Sequence, residues 1–261
     1  MEQKERREYL INYLLKEGGY DAPVPKSEIE EKRLLRSLFN VRMPNAASEE
    51  FLKIQDEYLH VEIAKKGITD CEKLTYTRGL TVWQGDITTL KADGIVNAAN
   101  SQMLGCFAPC HACIDNAIHT FAGIRLRKEC YDIMRRQRTE EPTGSAKITK
   151  AYNLPSKFVL HTVGPIVSDK LTEKHKEQLA SCYRSCLALA KEYGLRSLAF
   201  CCISTGEFHF PNKEAAEIAV STVSDLLEKD NYEMKVIFNV FKDTDLEIYQ
   251  KLLAERAGEN L

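Results

Sequence analysis

Apolar positions in the first 75 residues recur at helical spacing. Tyr9, Leu10, Tyr13 and Leu14 share one face, and Gly18-Gly19 stops the pattern. A second amphipathic stretch over 31–39 places Leu34, Leu35 and Leu38 on one side. Ser48, just before Glu49-Glu50-Phe51, reads as the cap of a third helix that runs toward Ala64. From Leu80 onward the pattern changes to short apolar runs separated by amphipathic stretches. The runs 80–83, 94–96, 147–149, 158–160, 198–203 and 235–238 predict strands. The stretches 114–136, 177–191, 213–227 and 245–254 predict helices, with Gly194 as a C-cap and Pro211 near a helix start. Strands that are apolar on both faces and alternate with helices predict a three-layer α/β fold. The helical segment 1–75 carries no catalytic motif, and its apolar stripes predict packing on the unit behind it.

Composition narrows the function classes. The 261 residues hold 36 basic and 38 acidic side chains, a formal net charge of −2, so there is no general pull toward nucleic acid or an anionic membrane. No apolar run approaches the ~20 residues needed to cross a bilayer. The chain opens Met1-Glu2-Gln3-Lys4 without an apolar leader, and a cytoplasmic location is expected. Its nine cysteines are then thiols or metal ligands, and an odd number cannot all pair within the chain. Cys130, Cys182, Cys186, Cys201 and Cys202 fall in patterns of helix or strand interiors and are expected to be buried; Cys71 lies in a charged linker.

Four segments follow strand ends, where open α/β sheets place their ligands. Gly85-Asp86-Ile87-Thr88 sets a carboxylate past a strand, suited either to an exocyclic amine or to a plain turn. Val96-Asn97-Ala98-Ala99-Asn100 offers two amides among small residues, suited to sugar hydroxyls or to a turn. The segment 105–115 gathers Cys106, Cys110, His111 and Cys113 within eight residues and continues into Asp115. Thiolate and imidazole are preferred zinc donors, and two Cys with one His would leave a fourth position open. Cys106, His111 and Cys113 are the expected ligands, with Cys110 spare. Asp115 would lie in the first turn of the next helix, where a carboxylate is favourable in any case. Ser204-Thr205-Gly206-Glu207-Phe208 links a buried strand to a helix, and its amides could cradle phosphate. Together the four segments describe a ligand with an amine-bearing base, ribose hydroxyls and a diphosphate, and with a metal near its far end.

The runs Gly85-Asp86-Ile87, Ile95-Val96-Asn97-Ala98-Ala99-Asn100, Thr143-Gly144-Ser145-Ala146, His161-Thr162-Val163-Gly164-Pro165 and Ser204-Thr205-Gly206-Glu207-Phe208 with Pro211 resemble a macrodomain over about 78–256. The segment from Cys106 to Cys113 stands where MacroD-type hydrolases carry glycines, which resembles the zinc-dependent macrodomains of microbes. The resemblance implies a three-layer α/β/α macrodomain over 78–261 with a mixed central sheet, preceded by a helical extension over 1–75. It also implies one Zn2+ per chain and hydrolysis of the bond between mono-ADP-ribose and a protein side chain.

By the same resemblance, Asp86 would bind the adenine amine with Ile87 beside it, and Asn97 and Asn100 would line the ribose at the scissile bond. Asp115 would be the acidic residue of the helix start. Ser204, Thr205, Gly206 and Glu207 would lie along the diphosphate, Phe208 against a ribose and Phe241 beside adenine. Asn97 and Asp115 are the expected catalytic residues. Zinc could either lower the pKa of a bound water to about 7 or hold ribose hydroxyls while Asp115 orients the water; the second route is the expectation. Mono-ADP-ribosylated proteins and ADP-ribose are the expected partners, and microbial relatives suggest a lipoyl-carrier protein as target. Two other readings stand beside this one. One is a module that binds ADP-ribose without cutting it. The other is a zinc nucleoside deaminase, because His60-Val61-Glu62 and Pro109-Cys110-His111-Ala112-Cys113 match H-x-E … P-C-x-x-C.

Overall fold

The computed structural model describes residues 1–230 and 233–258; the end of the expected 78–261 unit, residues 259–261, lies outside the described residues. Three helices open the chain: α1 (Gln3–Gly18), α2 (Glu28–Val41) and α3 (Glu49–Lys66). Ser27 and Ser48 cap α2 and α3, accepting hydrogen bonds from the backbone N–H of Glu30 and Phe51. The apolar stripes, expected to pack on the unit behind them, meet instead in a core of their own, in which Leu10, Ile11, Leu14, Leu35, Leu38, Phe51 and Leu59 are buried.

The rest is α/β. β1 (Thr69–Asp70) pairs in parallel with β3 (Leu90–Lys91) and ties the connection after α3 to the sheet unit. The main sheet holds β2 (Leu80–Gln84), β4 (Gly94–Ala99), β5 (Ala146–Lys150), β6 (Phe158–Val163), β7 (Ser197–Phe200) and β8 (Lys235–Val240). Its order is β2-β8-β7-β4-β6-β5, parallel throughout except for β5, which runs antiparallel to β6. The sheet is therefore mixed, and helices flank it: α4 (Ile114–Ala122) and α5 (Ile124–Gln137) in one layer, α6 (Glu173–Glu192), α7 (Asn212–Asp230) and α8 (Asp243–Ala257) in the other. Every residue of β7, and Val236 through Val240 of β8, is buried, as strands covered on both faces must be. The parallel direction brings the ends of β2, β4, β7 and β8 to one edge of the sheet. No helix among the described residues is long and apolar enough to cross a membrane.

Three further expectations change. The single helix over 114–136 is two, because Gly123 takes φ +88°. A Cβ there would stand 2.6 Å from Gln55 Nε2, and the Gln55 amide oxygen accepts the Ile124 N–H at 2.9 Å. The break turns Ile124 into the core of the three N-terminal helices, so a tertiary contact overrides good helical periodicity. The apolar run 198–203 leaves the sheet after Phe200, since the Cys202 carbonyl accepts from both the N–H and the hydroxyl of Thr205. Cys71 belongs to the main core rather than to an open linker, while Cys130, Cys182, Cys186 and Cys201 are buried as expected and Cys202 is partly so.

Candidate active site

The sulfurs of Cys106 and Cys113 and a ring nitrogen of His111 lie within 4.8 Å of one another. Cys113 is also the N-cap of α4, and its sulfur accepts the Asn116 N–H at 3.4 Å. A helix start and an N–H donor both favour thiolate. Without a cation the opposite holds, because burial first, and then the neighbouring Cys106 and Asp115, push the Cys113 thiol up to about 12. His111 Nδ1 is buried and has no hydrogen-bond partner, and its Nε2 lies 3.6 Å from Glu207 Oε1. Two clustered thiols, an orphaned ring nitrogen and a carboxylate behind the ring fit a zinc-type donor set with an outer-shell partner. Cys110 is not one of the three. At φ +53° its thiol turns toward α2, 3.2 Å from Ser37 Oγ and donating to the Arg33 carbonyl.

Asn97 lies within β4, one strand in from β7 and beside β6, and is fully buried. Its Nδ2 donates to Asp115 Oδ1 at 2.8 Å and stands 3.1 Å from His161 Nδ1. An ionised carboxylate only accepts, so the amide nitrogen must face Asp115. His161 Nδ1 then accepts the second amide hydrogen, and Nε2–H donates to Thr149 Oγ1 at 2.9 Å. Burial pushes His161 down to about 3, which keeps the ring neutral and the relay directional. The remaining Asn97 atom, Oδ1, has no partner in the protein. His119, Cys130 and His161 also bring ligand-type atoms within 4.8 Å; both His161 nitrogens face partners in the relay, so this trio is part of the buried support of Asn97. The relay was missed in the sequence, where the one signal was a histidine inside an apolar strand, between Leu160 and Thr162.

Burial is also the main reason the Asp115 carboxyl is raised to about 6, opposed by the Asn97 hydrogen bond and the Arg127 charge. A carboxyl that is harder to ionise folded than unfolded adds most stability below pH 4, and loses it as pH rises toward 6. Asp115→Asn in metal-free protein should therefore raise stability at pH 7, by up to about 3 kcal/mol. Urea midpoints of the two proteins from pH 4 to 7 check this: the gap should open across that window, and parallel curves would contradict it.

The other predicted residues gather at the same edge. Asp86 Oδ1 accepts from the N–H and hydroxyl of Thr88, and Oδ2 accepts from Lys66 Nζ at 2.8 Å. Burial would raise this carboxyl, but Lys66 and Thr88 outweigh it and hold it below the usual range. Lys66, at the end of α3, also lies 3.2 Å above the Phe121 ring. Ile87 is buried beneath this turn. Asn100 serves its own loop: Oδ1 accepts from Gln102 and Met103 N–H, and Nδ2 donates to the Gly105 carbonyl, leaving one amide hydrogen for a ligand.

After β7, Ser204 takes φ +65° and packs on Gly164, where a Cβ would come within 2.0 Å of its Oγ. Among the described residues, the N–H groups of Gly206, Glu207 and Phe208 have no backbone or side-chain acceptor. A Cβ on Gly206 would meet nothing within 4 Å. Three successive amides without acceptors, with open space at Gly206, are chemically suited to an anion. Thr205 N–H turns back to Cys202, and its hydroxyl does the same. Phe241 is 79% exposed beyond β8. His60 is exposed on α3 and belongs to neither cluster of metal-type donors, so the H-x-E … P-C-x-x-C pattern does not assemble and the deaminase reading falls.

A three-layer α/β/α unit with a mixed six-stranded sheet and an amide-lined loop after β7 defines a macrodomain. The Macro domain family model matches residues 96–219. A protein-ADP-ribose hydrolase of Treponema medium is 57% identical over 261 residues, covering 97% of this chain and 100% of the relative. A protein of the same name from Staphylococcus aureus strain MSSA476 is 48% identical over 253 residues, covering 95% of each chain. Among solved structures, a Trypanosoma brucei macrodomain in complex with ADP-ribose superposes with a TM-score of 0.65 at 29% identity, covering 84% of this chain and 94% of that one. The chain belongs to the macro domain family. Within it, the chain is a hydrolase.

Proposed function

We propose that this chain is a zinc-dependent hydrolase that removes mono-ADP-ribose from modified protein side chains. The observation that carries the reading is the convergence of Cys106, His111 and Cys113, with Cys113 capping the helix whose Asp115, two residues on, is bonded to buried Asn97, and with Glu207 of the loop after β7 reaching the His111 ring. Its relatives' names, protein-ADP-ribose hydrolase, supply the bond that is cut.

Each residue then has a task that its surroundings support. The free amides of Gly206, Glu207 and Phe208 take the diphosphate, flanked by Ser204 and Thr205. Asp86 takes the adenine amine with a lone pair not used by Lys66 or Thr88, over Ile87, and Phe241 covers the base. Phe208 and the free amide hydrogen of Asn100 face ribose. Asn97 Oδ1 accepts a hydroxyl of the ribose at the scissile bond, held in that orientation by the His161–Thr149 relay. Ionised Asp115 orients the attacking water as positive charge grows at the anomeric carbon, the course glycoside chemistry takes. Cys106, His111 and Cys113 would hold zinc, which when bound supplies a fixed positive charge that positions oxygen donors of the substrate. The reading carries a cytoplasmic location. A lipoyl-carrier protein belongs among the substrates to be tried.

Gly206→Val tests the diphosphate assignment. The side chain would fill space that the protein leaves open, so melting should be unchanged while ADP-ribose affinity, read by calorimetric titration, falls about tenfold or more. Unchanged affinity would move the diphosphate elsewhere. The same titration on wild type, paired with a turnover assay on mono-ADP-ribosylated protein, tests the substrate: release of ADP-ribose is expected, and tight binding with no release from any linkage would contradict the reading.

A further inference from the structure

The N-terminal helices do more than pack on the sheet unit; α2 grips the loop that carries the metal-type donors. Arg36 donates from Nη2 to the His111 carbonyl at 2.9 Å and to Asn116 Oδ1 at 2.8 Å, and from Nε to the same Asn116 oxygen at 3.2 Å. Asn116 passes the hold on, donating from Nδ2 to the Ala108 carbonyl at 3.0 Å and from its backbone N–H to Cys113 Sγ. One turn later on α2, Asn40 accepts the Cys110 N–H at 2.9 Å and donates to Thr120 Oγ1 at 3.0 Å. The loop is thereby bonded at Ala108, Cys110 and His111, in the stretch between Cys106 and Cys113. This also accounts for Cys110, whose thiol meets α2 at Ser37 and Arg33. Below, Arg127 of α5 donates to the carbonyls of Phe39 and Asn40 at the end of α2 and lies under the Phe107 ring, 4.3 Å from its centroid.

We infer that α2 is a structural part of the metal centre, and that Arg36 is a positioning residue that sets the loop so Cys106, His111 and Cys113 converge before any ion arrives. The inference rests on the proposal that these three hold zinc. Its physical basis is preorganisation: a loop already in its bound shape gives up less conformational freedom when the ion binds. A guanidinium suits the task because its planar fork bonds two acceptors at fixed angles, which a lysine ammonium does not reproduce. The extension then contributes to ion affinity through hydrogen bonds alone, with no ligand atom of its own.

The test is a zinc titration against a chromophoric chelator, on the full chain, for wild type, Arg36→Met, Arg36→Lys and Cys110→Ser. Wild type should hold one zinc, and Arg36→Met should hold it about 10- to 100-fold more weakly, the range for outer-shell partners. Melting of the metal-free forms reports whether Arg36→Met is folded; if it is not, Arg36→Lys takes its place and should show a smaller loss in the same direction. Cys110→Ser should match wild type. Cobalt substitution adds a spectroscopic readout, since a loosened donor set shifts the thiolate-to-metal bands of the Arg36 variant. Wild-type affinity and spectrum in the folded Arg36 variant would overturn the inference and leave the zinc reading standing. A wild type that holds no zinc would overturn both.

Discussion

Asn97→Ala is expected to lower turnover of mono-ADP-ribosylated protein by about 10²- to 10³-fold, the range for removing one preorganised polar group from a reacting centre. The reasons are all local. Asn97 donates to Asp115 and to His161, and its free Oδ1 is the one polar atom of the side chain without a partner in the protein. Removing it costs the reaction twice, through the lost contact to ribose and through an Asp115 no longer held in place. ADP-ribose itself should still bind within a few-fold, since the loop from Ser204 to Phe208 and the turn at Asp86 are untouched. Single-turnover rates beside calorimetric affinities separate the two effects. Near-wild-type rates would remove Asn97 from the mechanism, and a loss confined to affinity would make it a binding residue only.

The second large effect concerns Cys113. Cys113→Ser is expected to strip bound zinc and abolish turnover. Serine is the better probe than alanine because Cys113 caps α4; alanine would add the loss of a helix cap, about 1 kcal/mol, to the loss of a ligand. Serine keeps an acceptor for the Asn116 N–H, so a folded but metal-free protein should result. Metal content by mass spectrometry should fall from about one zinc per chain toward none. A Cys113→Ser protein that keeps both zinc and activity would take Cys113 out of the ligand set.

The sheet unit was legible because its strands are apolar on both faces and its chemistry sits just past their ends. Asp86 and Ser204 could be placed from position alone, since a parallel sheet collects such ends at one edge; the strand expected to stop at Val96 runs on to Ala99, so Asn97 lies inside β4 rather than past its end. The cysteine loop was legible because three thiols and an imidazole so close together in a loop resist explanation as core packing. What the sequence concealed depends on contacts between distant segments. Gly123 reads as an ordinary helix interior until Gln55 of α3 is brought against it. Arg36 reads as a solvated charge on an amphipathic helix, and nothing local says that its acceptors are His111 and Asn116. Lys66 likewise gives no hint that it will meet Asp86. All three lie where the N-terminal helices meet the sheet unit, the contact that periodicity within one segment cannot report.

Loss of metal from the otherwise unaltered protein tests whether hydrolysis needs zinc. Release of ADP-ribose from a mono-ADP-ribosylated protein should be measured before zinc removal, after chelation and dialysis, and again after zinc is returned. Release should stop on chelation and recover with one equivalent of zinc. Full release from protein shown by metal analysis to hold no zinc would contradict it.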